Sequence, residues 1–302
     1  MIARIVLLVV ALVLAPPAMA WGDRGHRLVA EIALANVAPA TRSAIGTLVQ
    51  AEAGLGTPAC PVQTLADAAV WPDCLRAEGW RWAYTFPWHF NDGEVTAAAF
   101  DPAAHCEYGA CAIAQITRNQ RLLADARLPA AQRLEALAFL AHIVGDIHQP
   151  LHAADHAGDH GGNGVTVANL PGAPYVLPTR PQPTVVSARP VPVSLHWLWD
   201  HVLVERAQRA GMLPAAQPCP QDQRQALAAG GPADWAQESW LIARDTVYPQ
   251  AFGHVLAPGE ATPASVTITD AVLDADLPVV RGRLLRAGLR LARLLDEALG
   301  AS

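Results

Sequence analysis

Apolar residues recur at helical intervals along most of this chain. Leu28, Val29, Ile32, Ala33 and Val37 share one helical face, and residues 41–53 continue as a second helix. Leu134, Leu137, Ala138, Ala141 and Val144 form the stripe of a third, which Pro150 must stop because it lacks an N–H and clashes with the preceding turn. His142 and Asp146 therefore fall near the end of that helix, with His152 just beyond it. Further helices are predicted over 111–126, 195–210, 233–246 and 279–299, the last carrying Leu285, Leu289, Ala292, Leu295 and Leu299 on one side. The predicted class is all-α, a single multi-helix domain without internal repeats.

Two stretches break the helical pattern. In WRWAYTFPWHF, Trp80, Trp82, Tyr84, Phe86, Trp88 and Phe90 occupy alternate positions. If extended, this segment would put His89 on the face opposite its aromatic neighbours. Residues 171–194 hold seven prolines in 24 positions and predict an irregular or polyproline loop on the surface.

Residues 1–20 read as an export signal, with Arg4, an apolar run from Ile5 to Leu14, and Ala18-Met19-Ala20 as a cleavage site. That run is too short to span a bilayer. Removing 20 of the 302 residues leaves 282 in 21–302, enough for one sizeable core in a soluble, monomeric, secreted or periplasmic protein. The net charge of −6 becomes −7 when Arg4 leaves, which argues against a basic groove as the source of any nucleic-acid affinity. Five cysteines in an exported chain imply disulfides with one thiol left over. Cys106 with Cys111 is the best candidate pair and Cys60 with Cys74 the next, leaving Cys219, although other pairings remain open.

The residues that carry chemistry are spaced like metal ligands. HIVGDIHQPLH holds His142, Asp146 and His152, and LHWLWD holds His196 and Asp200. In both, a His precedes an Asp by four positions, so a helix projects the two from one face. One such pair is commonplace on a helix surface. Two, with His152 beside one of them, point to zinc, which takes imidazole nitrogen and carboxylate oxygen. Asp73 in VWPD and His89 in WHF are further donors, and cleavage after Ala20 would leave Trp21 as a free amine five residues before His26.

With these motifs the chain resembles the zinc-dependent single-strand-specific nuclease and 3′-nucleotidase family, a mainly helical group that shares its architecture with zinc-dependent phospholipase C. The resemblance runs from Trp21 through the GGN at 161–163 to about Asp200, with only general helical similarity after it. It implies three zinc ions. Asp73, His89, His142 and Asp146 would hold one, and Trp21, His26 and the bridging Asp146 a second. The third would take His152, His196 and Asp200, and the amine and carbonyl of Trp21 would chelate only when nothing precedes that residue. The resemblance further implies that Asp73 and Arg76 act in catalysis, that a base stacks on Phe90, and that Asp92 bonds the base edge. Stacking requires an exposed base, which suits single-stranded nucleic acid or a nucleotide as the partner. His148, His156 and His160 lie among these residues without matching roles and are expected in support or at the surface.

Three departures from the family pattern are visible. The Pro-rich stretch replaces a short hairpin before the last ligand pair, Ser194 stands where an Asn is common, and Pro72 precedes Asp73. A zinc phospholipase C and a zinc-binding protein without turnover are the competing readings. The position of His26 only five residues after Trp21, the His-x-x-x-Asp form of the last pair, and the aromatic at Phe90 favour the nuclease over the lipase.

Overall fold

The computed structural model describes residues 21–170 and 193–300, with the backbone of 176–177 and 185–186. The export signal and most of the Pro-rich stretch lie outside the described residues. Inside that stretch, β4 (Val176–Leu177) and β5 (Val185–Val186) pair antiparallel.

The chain is all-α and folds as one domain around a central helix, α5 (Ala130–Asp146). Every residue from Ala136 to Asp146 is buried, so this helix is enclosed on all sides instead of showing one apolar stripe. Around it stand α1 (Gly22–Asn36), α3 (Leu65–Cys74) and α4 (Ala112–Ala124), with α2 (Pro39–Leu48) outside and continued by a 3-10 turn, Val49–Leu55. The long α11 (Asp270–Leu299) crosses α1, where a Cβ on Gly288 would lie 2.5 Å from that of Ile32. Only glycine permits that approach.

The helix α3 was not anticipated. Its stretch LADAAVWPDC has almost no polar face and contains Pro72, so neither periodicity nor breaker rules mark it. Thr64 caps it by accepting from the Asp67 N–H at 3.1 Å, and Arg27 bonds Asp67 at 2.8 Å, tying it to α1. The Cys60–Cys74 disulfide clamps its far end beside Asp73. The second disulfide joins Cys106 to Cys111, and Cys219 is the free cysteine, as the spacing suggested.

The aromatic stretch is not extended. Residues Leu75–His89 wind as a 3-10 helix, kinked at Gly79, whose φ of 75° suits glycine. Its burial has period three: Trp82, Thr85 and Trp88 face the core while Trp80, Tyr84 and Phe86 are exposed. Alternation of aromatics along the sequence thus concealed a three-residue repeat. Trp82 and Trp88 pack on Phe139 of α5, the latter edge-on at 4.9 Å, and His89 turns inward beside Trp88.

After His89, β1 (Gly93–Glu94) pairs parallel with β2 (Ala154–Asp155), which follows the 3-10 turn Pro150–His152. The turns carrying His89 and His152 are thereby held side by side. A second small sheet of β3 (Thr166–Val167), β6 (Val193–Ser194) and β7 (Ser265–Val266) delivers the chain to α6 (Leu195–Trp197). The Ser194 hydroxyl accepts from Trp197 N–H at 3.0 Å and starts that helix. α6 passes through one π turn, Leu198–Val202, into α7 (Leu203–Arg209). Beyond it come α8 (Gln221–Leu227), α9 (Pro232–Ile242), a second π turn and α10 (Tyr248–Phe252).

The helix expected from residue 279 begins at Asp270 and runs through Pro278. Arg206 holds the stretch before the proline, bonding Asp270 at 2.7 Å and Asp274 at 2.8 Å. Two residues after Asp274, Asp276 is buried, its Oδ1 without a hydrogen-bond partner, and burial alone pushes its carboxyl up to about 7. An unfolded Asp loses its proton near pH 4. The unfolded chain therefore ionises first, and the contribution of this group falls as pH rises from about 4 to about 7, then levels off. Asp276→Asn is expected to raise Tm by several degrees at about pH 8 and little near pH 4 in thermal unfolding. Equal shifts at both would show that ionisation of this group carries no penalty.

Candidate metal centre

Three buried sets of donors converge between α1, α3, α5 and the α6 turn. They comprise His26, His142 and Asp146; Asp73, His89 and His142; and His152, His196 and Asp200, each with ligand atoms within 4.8 Å of one another. His142 belongs to the first two, and its Nε2 lies 3.2 Å from Asp146 Oδ2 and 3.8 Å from Asp73 Oδ1. Asp146 Oδ1 faces His26 Nε2 at 3.3 Å while its Oδ2 faces His89 Nδ1 at 2.9 Å. The carboxylate thus spans two sets. In the third, His196 Nε2 is 3.3 Å from Asp200 Oδ2, and His152 Nε2 is 4.0 Å from Asp200 Oδ1.

Local structure brings each donor inward. The His-x-x-x-Asp pair of α5 closes one helical turn at its buried end, and the α6 pair does so through the π turn, which adds a residue to the turn holding Asp200. On α1, His26 stacks on the His142 ring at 4.0 Å. A Cβ on Gly145 would stand 2.8 Å from His26 Nδ1, so the imidazole occupies the space of a missing side chain.

Trp21 is completely buried. Its indole Nε1 donates to the Gly145 carbonyl at 2.8 Å, and its backbone nitrogen donates to Asp200 Oδ1 at 3.3 Å. The nitrogen expected to join His26 and Asp146 therefore also reaches the third set.

Backbone carbonyls fix the tautomers. His142 Nδ1 lies 2.7 Å from the Ala69 carbonyl, His152 Nδ1 2.7 Å from that of His89, and His196 Nδ1 2.8 Å from that of Gly161. A carbonyl only accepts, so each Nδ1 must carry the proton; the neutral rings of His152 and His196 then turn a bare Nε2 inward, and that of His142 does so once its second proton leaves. Yet His152 Nε2 and His196 Nε2 sit 3.0 Å apart, and His142 Nε2 sits 2.9 Å from His89 Nδ1. In the first pair the inward nitrogens face each other as lone pairs, which repel unless a cation lies between them; in the second, His89 Nδ1 also lies 2.9 Å from Asp146 Oδ2, to which it can donate. Asp73 Oδ1, Asp146 Oδ1, Asp200 Oδ2 and both ring nitrogens of His26 are also buried without hydrogen-bond partners. This donor set fits zinc.

Electrostatics give the same sign. Burial and the nearby charges of Asp73 and Asp146 push the Asp200 carboxyl well above its usual range against the bond from Gln149. Burial opposes ionisation of Asp73 too, but His142 and Arg76 outweigh it and hold that carboxyl low. His142 rises to about 9, burial being overcome by Asp146 and Asp73, whereas burial takes His152 down to about 4. Asp73 and Asp146 thus stay ionised against His142 and Arg76, while Asp200 lacks a cation to balance it among the described residues.

The remaining expected residues lie at the rim. Arg76 Nη2 is 3.4 Å from Asp73 Oδ1 and its guanidinium stands over Phe86, 5.4 Å from the ring centroid. Phe90 is half-buried and meets Phe86 edge to face at 5.7 Å, so it is not sealed into the core. Asp92 is partly buried, and burial with the charge of Asp155 raises it to about 7.

His148 is fully buried, with Nδ1 donating to Val144 O at 2.7 Å and Nε2 accepting from Arg290 at 2.9 Å. Arg283 bonds the His148 carbonyl at 3.0 Å, and both arginines share Glu238. His156 is buried beside Glu94, and His160 is exposed.

Sequence reasoning overlooked Gln149. Its amide donates to Asp200 Oδ1 at 2.8 Å while its carbonyl accepts from Leu151 N–H at 2.6 Å, linking the α5 turn to the last donor pair. Its place between two donors, just before Pro150, was the available signal.

Comparison with known proteins gives one consistent picture. The S1/P1 nuclease family profile matches residues 21–300. Nuclease S1 of Aspergillus oryzae is 27% identical over 301 residues, covering 94% of this chain and 94% of its own. Endonuclease 4 of Arabidopsis thaliana is 28% identical over 93% of this chain and 89% of its own. Nuclease P1 of Penicillium citrinum reaches 33% over 49% of this chain and 52% of its own.

Replacing Gln149 by Leu should free Asp200 and weaken metal retention by about 10- to 100-fold, the usual effect of losing a supporting hydrogen bond. Zinc per chain after dialysis against graded chelator measures this. Retention equal to that of the unaltered protein would remove Gln149 from the support of Asp200.

Proposed function

The chain belongs to the S1/P1 nuclease family, and from that premise we propose an exported phosphodiesterase that holds three zinc ions and cuts single-stranded DNA and RNA to 5′-phosphate products. Removal of 3′-phosphates from nucleotides is the same chemistry on a smaller substrate. The observation that carries this reading is the convergence of three contiguous buried His/Asp sets, in one of which bare imidazole nitrogens face each other.

His26, His89, His142, His152, His196, Asp73, Asp146, Asp200 and the terminal amine of Trp21 would hold the ions. Bound zinc supplies Lewis acidity and charge neutralisation for phosphoryl transfer near neutral pH. Asp73, oriented by Arg76, faces the reacting phosphate, and the Arg76 fork donates to its oxygens as charge builds. Phe90 offers a ring on which an unpaired base stacks, and Asp92 bonds its edge. With its carboxyl near 7, Asp92 changes around neutrality from a group that donates and accepts to one that only accepts.

Export is supported by the reading of residues 1–20, by two disulfides, and by Trp21 itself. Among the described residues no helix is long and apolar enough to cross a membrane. Trp21 has φ of 43°, a left-handed conformation that costs a bulky residue about 1–2 kcal/mol.

Protein beginning at Trp21 should therefore release nucleotides from single-stranded DNA faster than from duplex, lose this with chelator, and leave phosphatidylcholine intact. A version with one extra residue before Trp21 should bind one zinc fewer and be at least about 100-fold slower. Equal zinc and rate in the two would refute the terminal role, and hydrolysis of phosphatidylcholine alone would refute the nuclease reading.

A further inference from the structure

Beside the metal centre a pocket of about 380 Å³ opens between the end of α3 and the 3-10 run, and the residues above give it no role. We propose that it is a second nucleoside subsite, taking the nucleotide that adjoins the scissile phosphate on the side away from Phe90. The inference rests on the phosphodiesterase reading and deepens it.

Four observations favour this occupant. The size lies within the range of about 300–1,000 Å³ that small organic ligands fill. Its walls are the side chains of Leu75, Trp82, Ala83 and Phe86, with His89 at the end nearest the donors, and its only lining group with a permanent charge is Arg76. No carboxylate lines it, so the pocket suits a neutral ring attached to an anionic backbone.

Second, Phe86 is 54% exposed although large and apolar, and it meets Phe90 at 74°. Two rings set across one another offer platforms to two bases splayed apart, an arrangement that a stacked duplex cannot enter.

Third, Trp82 is 8% exposed and its Nε1–H is buried without an acceptor among the described residues. A donor left so in the wall of a pocket is costly unless a ligand or water accepts from it, and the carbonyls and ring nitrogens of bases are acceptors. Fourth, the Arg76 guanidinium bridges Asp73 and Phe86, so a phosphate held by it would stand at the mouth. The attached nucleoside then falls naturally into the pocket.

A dinucleotide would engage both platforms and a substrate without bases neither. Two variants test this in the zinc-loaded enzyme: Ala83→Phe, which fills the pocket from its exposed rim, and Phe86→Ala, which removes the platform. The readout is kcat/KM on a thymidine dinucleotide divided by that on bis(p-nitrophenyl) phosphate. Stacking energies of about 1–3 kcal/mol per base correspond to a fall in this ratio of about 5- to 150-fold. Unaltered ratios in both variants, each with unaltered zinc content and Tm, would overturn the proposal.

Binding provides a readout independent of cleavage. Thymidine should quench tryptophan fluorescence in the unaltered protein and in Phe90→Ala, but not in Ala83→Phe. Quenching that survives Ala83→Phe, or no quenching at all, would overturn it too. If the unaltered enzyme cut no nucleic acid, the phosphodiesterase reading would fall while the quenching still decided the pocket.

Discussion

Bare imidazole nitrogens held against one another in a dry interior are the constraint on which this fold depends. Each of three histidines spends its Nδ1 proton on a backbone carbonyl, and those carbonyls come from different parts of the chain: α3, the turn at His89, and the glycine pair before β3. The inward nitrogens are therefore determined by how helices and turns pack, not by the ring's own preference. An interior that sets the lone pairs of His152 and His196 3.0 Å apart and leaves several carboxylate oxygens unpartnered is stabilised by added positive charge. A metal ion held by these donors would therefore add to the stability of the fold, since whatever binds the native arrangement alone stabilises it.

The supporting structure lies mostly behind the ligands. The turn between Asp146 and His152 has no helix to satisfy its groups, so Arg283 and Arg290 of α11 and Ser239 of α9 bond its carbonyls and the His148 ring. Glu238 answers both arginines and is held down to about 2, burial being outweighed by the two guanidinium partners. The two guanidinium groups are buried and Glu238 is half-buried between them, so removing the carboxylate would leave two buried charges unpaired. Gly161, at φ of 62°, shows the same economy in the backbone: a Cβ there would collide with the Leu151 carbonyl, and the glycine's own carbonyl orients His196.

Donors were legible in the sequence wherever helical spacing carried them, as in His142 with Asp146 and His196 with Asp200. The mainly helical class and both disulfides were legible as well, because apolar periodicity and cysteine spacing are local properties. What escaped was structure set by packing. The central burial of α3 erased its amphipathic signal, and the 3-10 run hid a period of three beneath alternating aromatics. Pro278 masked a helix start that distant Arg206 holds in place. Gln149 escaped for a related reason, since an amide that accepts from one strand of chain and donates to another acquires its role only when the two meet.

The same irregular segments that defeated periodicity build the cleft. A regular α-helix in place of the 3-10 run would turn 100° per residue, and Trp82, Thr85 and Trp88 could not align on Phe139 while Phe86 stayed open to solvent. Three residues per turn keep a narrow anchoring edge in the core and leave two faces outside it. One face carries Phe86 toward Arg76, and the end of the run points His89 at Asp146. Core packing of the tryptophans thus fixes, through one rigid segment, the distance between an exposed aromatic platform and a metal donor. Residues buried in the core thereby set where the exposed ring of Phe86 stands relative to the donor cluster.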